Sequence, residues 1–273
     1  MRRLRLTITL KEEIVKLLDT IADGKKIRNR SNAIESILES FFSSHIKTGV
    51  ILSSGFSLIQ KQTPECLLKI QDKTLIKYHL DLFQSANLER VIICSDHIEK
   101  IKKTVDPALY SFKIVYIKQK SNLGGAAKAL KSLEKELKKD EFILLYGDVL
   151  VDINLLDFVH FFKNSNSVCT VALTSVLNPK EWGMIKMKGT QITEFQEKPN
   201  EVYIPSYLVN SGVFIFHPDI FSYLNKQTSS LERDILPILA KNNKLKGYVF
   251  DGQWFDTGKK EMYDKAESQW GGK

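Results

Sequence analysis

Cysteine is scarce: three residues (Cys66, Cys94, Cys169) in 273, an odd number with no CxxC pair. A disulfide framework and a cysteine-built zinc site are thereby excluded, and a reducing, cytoplasmic setting is expected. Proline is also sparse, at seven residues, while 43% of the chain is hydrophobic and 26% charged. That balance excludes wholesale disorder. No apolar run approaches the ~18 residues of a membrane span. The opening MRRLRLTITLKEE alternates polar with apolar side chains, so neither a signal peptide nor a membrane helix is expected. The five histidines (His45, His79, His97, His160, His217) show no metal-ligand spacing. Internal repeats and low-complexity tracts are missing too.

Positive charge is what the chain has in excess, +8 overall. Residues 1–50 hold ten Lys/Arg against six Asp/Glu, half of that excess in under a fifth of the length. A basic segment of this kind is either a phosphate-binding surface or a solvated face. Leu4, Leu6, Ile8 and Leu10 alternate with polar residues, a period of two that predicts a half-buried strand. Ile14, Leu17, Leu18 and Ile21 then fall on one helical face, stopped at Gly24. A second helix follows Asn29-Arg30-Ser31, with Asn29 or Ser31 as its cap and Ala33, Ile34, Ile37, Leu38, Phe41 and Phe42 apolar. One strand and two helices are too small to bury these faces alone, so a partner subunit is implied.

RLTITL, a helix, a short basic turn and NRSNAIESIL together resemble a ribbon-helix-helix DNA-binding domain of the CopG type. The resemblance implies a β-α-α unit over residues 1–45 whose strands pair between two chains into a ribbon entering the major groove. Arg3, Arg5, Thr7 and Thr9 would face double-stranded DNA, where Arg donates to guanine and Thr offers a hydroxyl and a methyl. Arg30 and Ser31 would hold a phosphate at the second helix's N-terminus. The plainer reading is an edge strand and helical hairpin that serve dimerisation alone.

From Gly49 onward apolar runs alternate with amphipathic helices. The runs are Val50–Leu52, Val91–Cys94, Ile114–Ile117, Phe142–Tyr146, Val168–Leu173, Met184–Met187 and Val209–Phe216; the helices are Lys73–Ala86, Ala126–Leu137 and Leu155–Phe162. Continuous apolar strands between helices predict an α/β domain over 46–273, Rossmann-like, with a mainly parallel mixed sheet covered on both faces. Ligands in such folds sit at the carboxyl ends of strands. Gly147-Asp148 ends one strand and Trp254-Phe255-Asp256-Thr257-Gly258 follows another, so the two carboxylates are candidates to share a Mg²⁺ ion bridging phosphates. Glu197-Lys198-Pro199 offers a carboxylate for hydroxyls and an ammonium for a phosphate. The linker, about His45–Thr48, has no spacer composition.

The ordered series GVILSSG, PECLLKI, KTLIKYHL, LGGA, YGDVLVD, EWGMI, FQEKP, VNSGVFIF and WFDTG resembles the sugar-phosphate nucleotidyltransferases, above all their mannose-1-phosphate guanylyltransferase-like branch. Those enzymes join a sugar 1-phosphate to an NTP and release pyrophosphate. By position the resemblance implies Asp148 and Asp256 as metal ligands, Glu197 on a sugar hydroxyl, Lys198 on the sugar phosphate and Asn210 on the sugar. Gly124 would lie close to the base and Gly183 close to the sugar.

The chain departs from that family at its first loop. The family signature L-x-x-G-x-G-T-R is missing its second glycine, Thr and Arg: Gly55 is followed by Phe56-Ser57-Leu58-Ile59-Gln60. Glu65 stands where the family has the lysine of its P-K pair. Neutral and acidic residues beside a triphosphate oppose its binding. On sequence alone the leading expectation is a DNA-binding transcriptional regulator, not an enzyme. In it the degenerate domain senses a sugar phosphate or nucleotide sugar, or serves as an assembly scaffold, in a homodimer or higher oligomer of dimers. The alternative is an active sugar-1-phosphate nucleotidyltransferase (NDP-sugar pyrophosphorylase) carrying an N-terminal dimerisation or DNA-binding module.

Overall fold

A computed structural model describes residues 6–22, 27–43, 46–119, 124–198 and 206–272. The chain divides into two compact units, Met1–His45 and Ile46–Lys273. In the first unit helices α1 (Glu12–Ile21) and α2 (Arg30–Ser43) pack on one another. Glu12 and Glu13 occupy the first turn of α1, where free N–H groups favour negative charge. Asn29, not Ser31, caps α2: its Oδ1 accepts the Asn32 N–H at 2.9 Å. The Arg30 guanidinium forks onto Asp19 at 2.7 and 2.8 Å, tying the two helices and neutralising the charge expected to meet a phosphate.

The strand expected over Leu4–Leu10 is not formed among the described residues: 6–11 belong to no ladder, and the ribbon-helix-helix reduces to its two helices. The physical reason is that a strand requires a partner edge, and a single copy of this unit offers none. Arg3 and Arg5 lie outside the described residues; Thr7 and Thr9 are exposed.

The second unit opens with β1 (Thr48–Leu52), the small hairpin β2 (Lys69–Ile70) and β3 (Lys73–Thr74), and helix α3 (Leu75–Gln84). Next come β4 (Arg90–Ser95), α4 (Ile98–Thr104), β5 (Lys113–Lys118), α5 (Ala126–Ser132) and α6 (Glu134–Leu137). The middle of the chain forms β6 (Phe142–Tyr146), β7 (Val149–Val151), α7 (Leu155–Lys163), β8 (Cys169–Ser175), β9 (Gly183–Lys188) and β10 (Gln191–Glu197). The last stretch is β11 (Leu208–Phe216), α8 (Ile220–Tyr223), α9 (Leu236–Lys241), β12 (Leu245–Val249), β13 (Trp254–Asp256) and α10 (Lys260–Gln269).

Nine strands make one sheet in the order β5-β4-β1-β6-β11-β8-β12-β10-β9. The half β5-β4-β1-β6 is parallel throughout, as the apolar runs predict, whereas β11 pairs antiparallel with both β6 and β8. β1 is buried at all five positions because helices cover both sheet faces. On one face Ala127, Leu130, Leu236 and Leu239 of α5 and α9 enter the core; on the other, Ile76, Leu80, Phe83 and Phe158 of α3 and α7 do. The expected Ala126–Leu137 helix is broken at Leu133, and much of the expected linker is structure, with Ile46 buried and β1 starting at Thr48. All three cysteines are free and buried, and burial pushes the Cys66 thiol up to about 12. No helix among the described residues is long and apolar enough to cross a membrane.

Candidate active site

Strand β6 ends at Tyr146, and Gly147-Asp148 follows before β7. β13 pairs antiparallel with β7, Asp256 opposite Val149, so ladder register alone sets the two aspartates side by side. Thr257 fastens the join: its N–H and its hydroxyl both donate to the Asp148 carbonyl, at 2.8 and 2.6 Å. Both carboxylates close on Gly258, where a Cβ would stand 3.2 Å from Asp256 Oδ1 and 3.7 Å from Asp148 Oδ2. Trp182 Nε1 donates to Asp256 Oδ2 at 2.8 Å and fixes that carboxylate's orientation. Burial, and then the charge of Asp256, pushes the Asp148 carboxyl up to about 7. Paired carboxylates removed from water favour a cation between them. Among the described residues no group of three or more His, Cys, Asp or Glu is placed to hold a metal. Two carboxylates with open remaining positions suit Mg²⁺, which keeps waters and takes substrate phosphates. The donor set therefore fits that ion.

The sugar-side candidates gather at the neighbouring strand ends. Glu197 closes β10 opposite Gly183 of β9. A Cβ at Gly183 would meet Phe195 Cζ at 2.5 Å and Glu197 Oε2 at 3.0 Å, so only glycine lets that strand run beneath the carboxylate. Lys198 takes φ +46°, a left-handed conformation uncommon outside glycine, while its N–H donates to the Trp182 carbonyl at 3.1 Å. Burial and then Glu232 raise the Glu197 carboxyl, opposed by the cations of Lys198, Arg233 and Lys259. Asn210 sits where β11 shifts register against β8, and its Oδ1 accepts the Gly212 N–H at 2.8 Å. The Val209–Met184 pairing places Asn210 beside Gly183, and Trp254 Nε1 pins β13 to the same irregularity through the Ser211 carbonyl at 2.8 Å. Gly124 has open space where a side chain would stand. Its neighbour Gly125, at φ +93°, is forced by packing, because a Cβ there would lie 2.1 Å from the Ser229 carbonyl oxygen.

Several participants escape sequence reasoning. Residues Leu231–Ile235 form a π-helical turn packed against β10 and α5. Glu232 is held at both oxygens, by Tyr146 OH at 2.5 Å and Ser230 Oγ at 2.9 Å. Asp234 accepts the Ser229 and Ser230 N–H groups, at 2.6 and 2.9 Å. Lys259 Nζ stands 3.5 Å over the Trp182 ring and pairs with Glu181 at 2.6 Å. No local periodicity marks this turn; the one available signal is the Ser230 cap, whose Oγ accepts the Arg233 N–H.

The altered first loop is closed on its own contacts. The Gly55 N–H donates to Asp96 at 3.3 Å, Ser54 Oγ to Gln119 at 2.5 Å, and the Ser57 N–H to the Thr63 carbonyl at 2.8 Å. Phe56 packs tilted against His97, ring centroids 4.1 Å apart, with Lys100 Nζ 5.1 Å from its ring. Burial, and then Asp148, Asp256 and Asp96, push the Glu65 carboxyl up to about 8. Glu65 thus lies within electrostatic reach of the paired aspartates, and its raised carboxyl favours the protonated form beside them.

Comparison with known proteins bears on these alternatives. The nucleotidyl transferase family model matches residues 49–270. A mannose-1-phosphate guanyltransferase of Yarrowia lipolytica is 26% identical over 223 residues, covering 77% of this chain and 60% of its own length. A mannose-1-phosphate guanylyltransferase catalytic subunit beta of Xenopus tropicalis is 28% identical over 204 residues, 71% of this chain and 55% of that one. The chain thus spans about 60% or less of these curated relatives. In fold it is similar to a UDP-glucose pyrophosphorylase solved with UDP-glucose (TM-score 0.71, 23% identity, 82% of this chain and 98% of that one). It is similar as well to HddC from Yersinia pseudotuberculosis (TM-score 0.68, 21% identity, 82% and 99%). These findings overturn the expectation of a DNA-binding transcriptional regulator: what the chain resembles carries transferase and pyrophosphorylase names. They favour the enzyme reading in its place. The chain belongs to the nucleotidyl transferase family.

Proposed function

We propose that this chain is a sugar-1-phosphate nucleotidyltransferase whose sugar substrate is of the mannose-1-phosphate type. The reading rests on one observation above all: Asp148 and Asp256 converge on Gly258 at the carboxyl ends of β6 and β13. The guanylyltransferase names of the relatives supply the substrate class. A sugar-phosphate oxygen attacks the α-phosphorus of an NTP, the bond to the β-phosphate breaks, and pyrophosphate leaves. Mg²⁺ bound at Asp148 and Asp256 would neutralise the phosphate charges that build up in this exchange. Lys198 holds the sugar phosphate, with Arg233 as the second cation facing Glu197 from the π-turn. Glu197 and Asn210 orient sugar hydroxyls, and Gly183 admits the sugar close to the β9 backbone. The left-handed conformation of Lys198 is the kind of strain that functional sites retain.

The triphosphate side is where this enzyme differs from its family. The first loop's N–H of Gly55 is engaged with Asp96, and Glu65 replaces a lysine. Loss of one preorganised donor costs roughly 10²–10³ in rate, so slow turnover and a high KM for NTP are expected. Incubation with an α-phosphate-labelled NTP, Mg²⁺ and a hexose 1-phosphate should yield a labelled nucleotide sugar. Lys198→Ala should raise the KM for sugar 1-phosphate about 10–100-fold with little change in the KM for NTP. No labelled product from any of the four NTPs, at millimolar substrate, overturns the reading.

A further inference from the structure

A cavity of about 750 Å³ lies between the carboxyl end of β8, the 250–252 segment and the first turns of α10. That volume is within the ~300–1,000 Å³ of sites for small organic ligands. Trp182 and Trp254 line it, but Asp148, Asp256, Glu197, Lys198 and Asn210 do not, so it is distinct from the candidate active site. Its walls are fixed by backbone contacts. The Phe250 N–H donates to the Leu173 carbonyl at 3.1 Å, and the Asp152 N–H to the Gln253 carbonyl at 2.9 Å. Gly252 runs so close to Asp152 that a Cβ would stand 1.8 Å from its carbonyl oxygen. Buried Trp254 and Phe255 and half-buried Trp182, Phe250 and Met262 supply the aromatic and apolar lining. The charged lining comes as pairs: Glu181 with Lys259 at 2.6 Å, and Glu261 with Lys265 at 2.7 Å. Asp251 adds a third carboxylate, so the lining as a whole is net negative.

We infer that this cavity binds a neutral oligosaccharide, at a site separate from the one that handles phosphates. The lining itself selects among ligand classes. A net negative wall opposes a phosphate or carboxylate, and so disfavours the anionic substrates of the reaction proposed above. A cationic ligand would need an open aromatic face, yet Lys259 Nζ already stands 3.5 Å over the Trp182 ring. A neutral polyol suits both halves of each ion pair, because neighbouring hydroxyls accept from an ammonium while they donate to a carboxylate. Its C–H faces would pack on the Phe250 ring and the Met262 thioether. One pair joins Glu181 to Lys259 and the other lies within α10, so hydroxyl partners are provided for more than one sugar ring. Binding there requires neither NTP nor Mg²⁺, and it therefore stands or falls apart from the transferase reading.

Isothermal titration calorimetry on the full chain, without NTP or Mg²⁺, tests it with mannobiose, maltose and cellobiose as probes. At least one should bind with a Kd on the order of 1 mM or tighter. Phe250→Ala should weaken that binding at least about 10-fold, and Glu261→Ala with Lys265→Ala about 10-fold. Glu261 and Lys265 are exposed, so the double variant should melt as wild type does and separates loss of binding from loss of folding. Glu197→Gln and saturating mannose 1-phosphate should leave the disaccharide bound. No heat from any of the three disaccharides overturns the inference. Binding lost in Glu197→Gln, or displaced by mannose 1-phosphate, overturns it by placing the sugar in the active site. Tighter binding of inorganic phosphate or tetramethylammonium, weakened by Phe250→Ala, overturns it as well and assigns the cavity to an ion.

Discussion

Asp148 and Glu65 set the electrostatic behaviour of the site. Each carboxyl is held protonated in the fold to a higher pH than in the unfolded chain, up to about 7 from 3.8 for Asp148 and up to about 8 from 4.5 for Glu65. The stability each contributes is complete below about pH 4 and is lost as pH rises through those folded values. In metal-free protein, Asp148→Asn and Glu65→Gln should therefore each raise Tm at pH 8 relative to wild type, by at least ~2–4 °C, with the gap narrowing as pH falls and closing near pH 4. A pH-independent gap would mean the carboxyls do not titrate as described. Mg²⁺ should restore wild-type Tm at pH 8 and leave Asp148→Asn unmoved. Trp182 acts on Asp256 without touching substrate in this account. Trp182→Phe keeps the ring but removes the indole donor, and should weaken Mg²⁺ activation about 10–100-fold, as loss of a ligand's orienting partner does. An unchanged Mg²⁺ dependence would make Trp182 a packing residue alone.

At the scale of elements, the π-turn and the Gly124–Gly125 loop form one device. Gly125→Ala would drive a methyl into the Ser229 carbonyl at a backbone angle that alanine resists, so a loss of about 2 kcal/mol or more in urea unfolding is expected. Gly124→Ala, facing open space, should cost a quarter of that or less. Equal effects at the two positions would contradict the packing described. The sequence made some elements legible and hid others for physical reasons. β1, β4 and β6 are buried on both faces and read as unbroken apolar runs. β10 (QITEFQE) has only two apolar residues, its polar side chains pairing with β9 and β12 or closing at Glu197, and α10 (KEMYDKAESQ) presents few apolar residues to any periodicity. Asp148 and Asp256 are legible as strand-end carboxylates, and their role comes from the ordered motifs YGDVLVD and WFDTG that resemble the family. Glu232 and Arg233 are not legible, since a π-turn has no local signature and their partners Tyr146 and Glu197 are distant in sequence. The extended N-terminal segment misled for the opposite reason: its alternation is real, but one chain provides no edge for it to pair with.

For the molecule as a whole, a parallel half-sheet delivers Asp148, and an antiparallel half delivers Glu197, Asn210 and Gly183. Asp256 comes instead from the separate two-stranded β13-β7 sheet, and Trp182 and Trp254 tie that small sheet to the strand ends that carry the sugar-side candidates. In the proposed reaction the first loop, lacking the cations of the family signature, would leave triphosphate recognition to Mg²⁺ at Asp148 and Asp256. Pyrophosphate release from an NTP and a hexose 1-phosphate, measured on wild type, Asp148→Asn, Asp256→Asn and Glu65→Gln side by side, tests this most directly. The account predicts Mg²⁺-dependent release by wild type and by Glu65→Gln, and a fall of at least about 10²-fold in each aspartate variant. Release that persists in both aspartate variants, or none from wild type with any NTP, would contradict it.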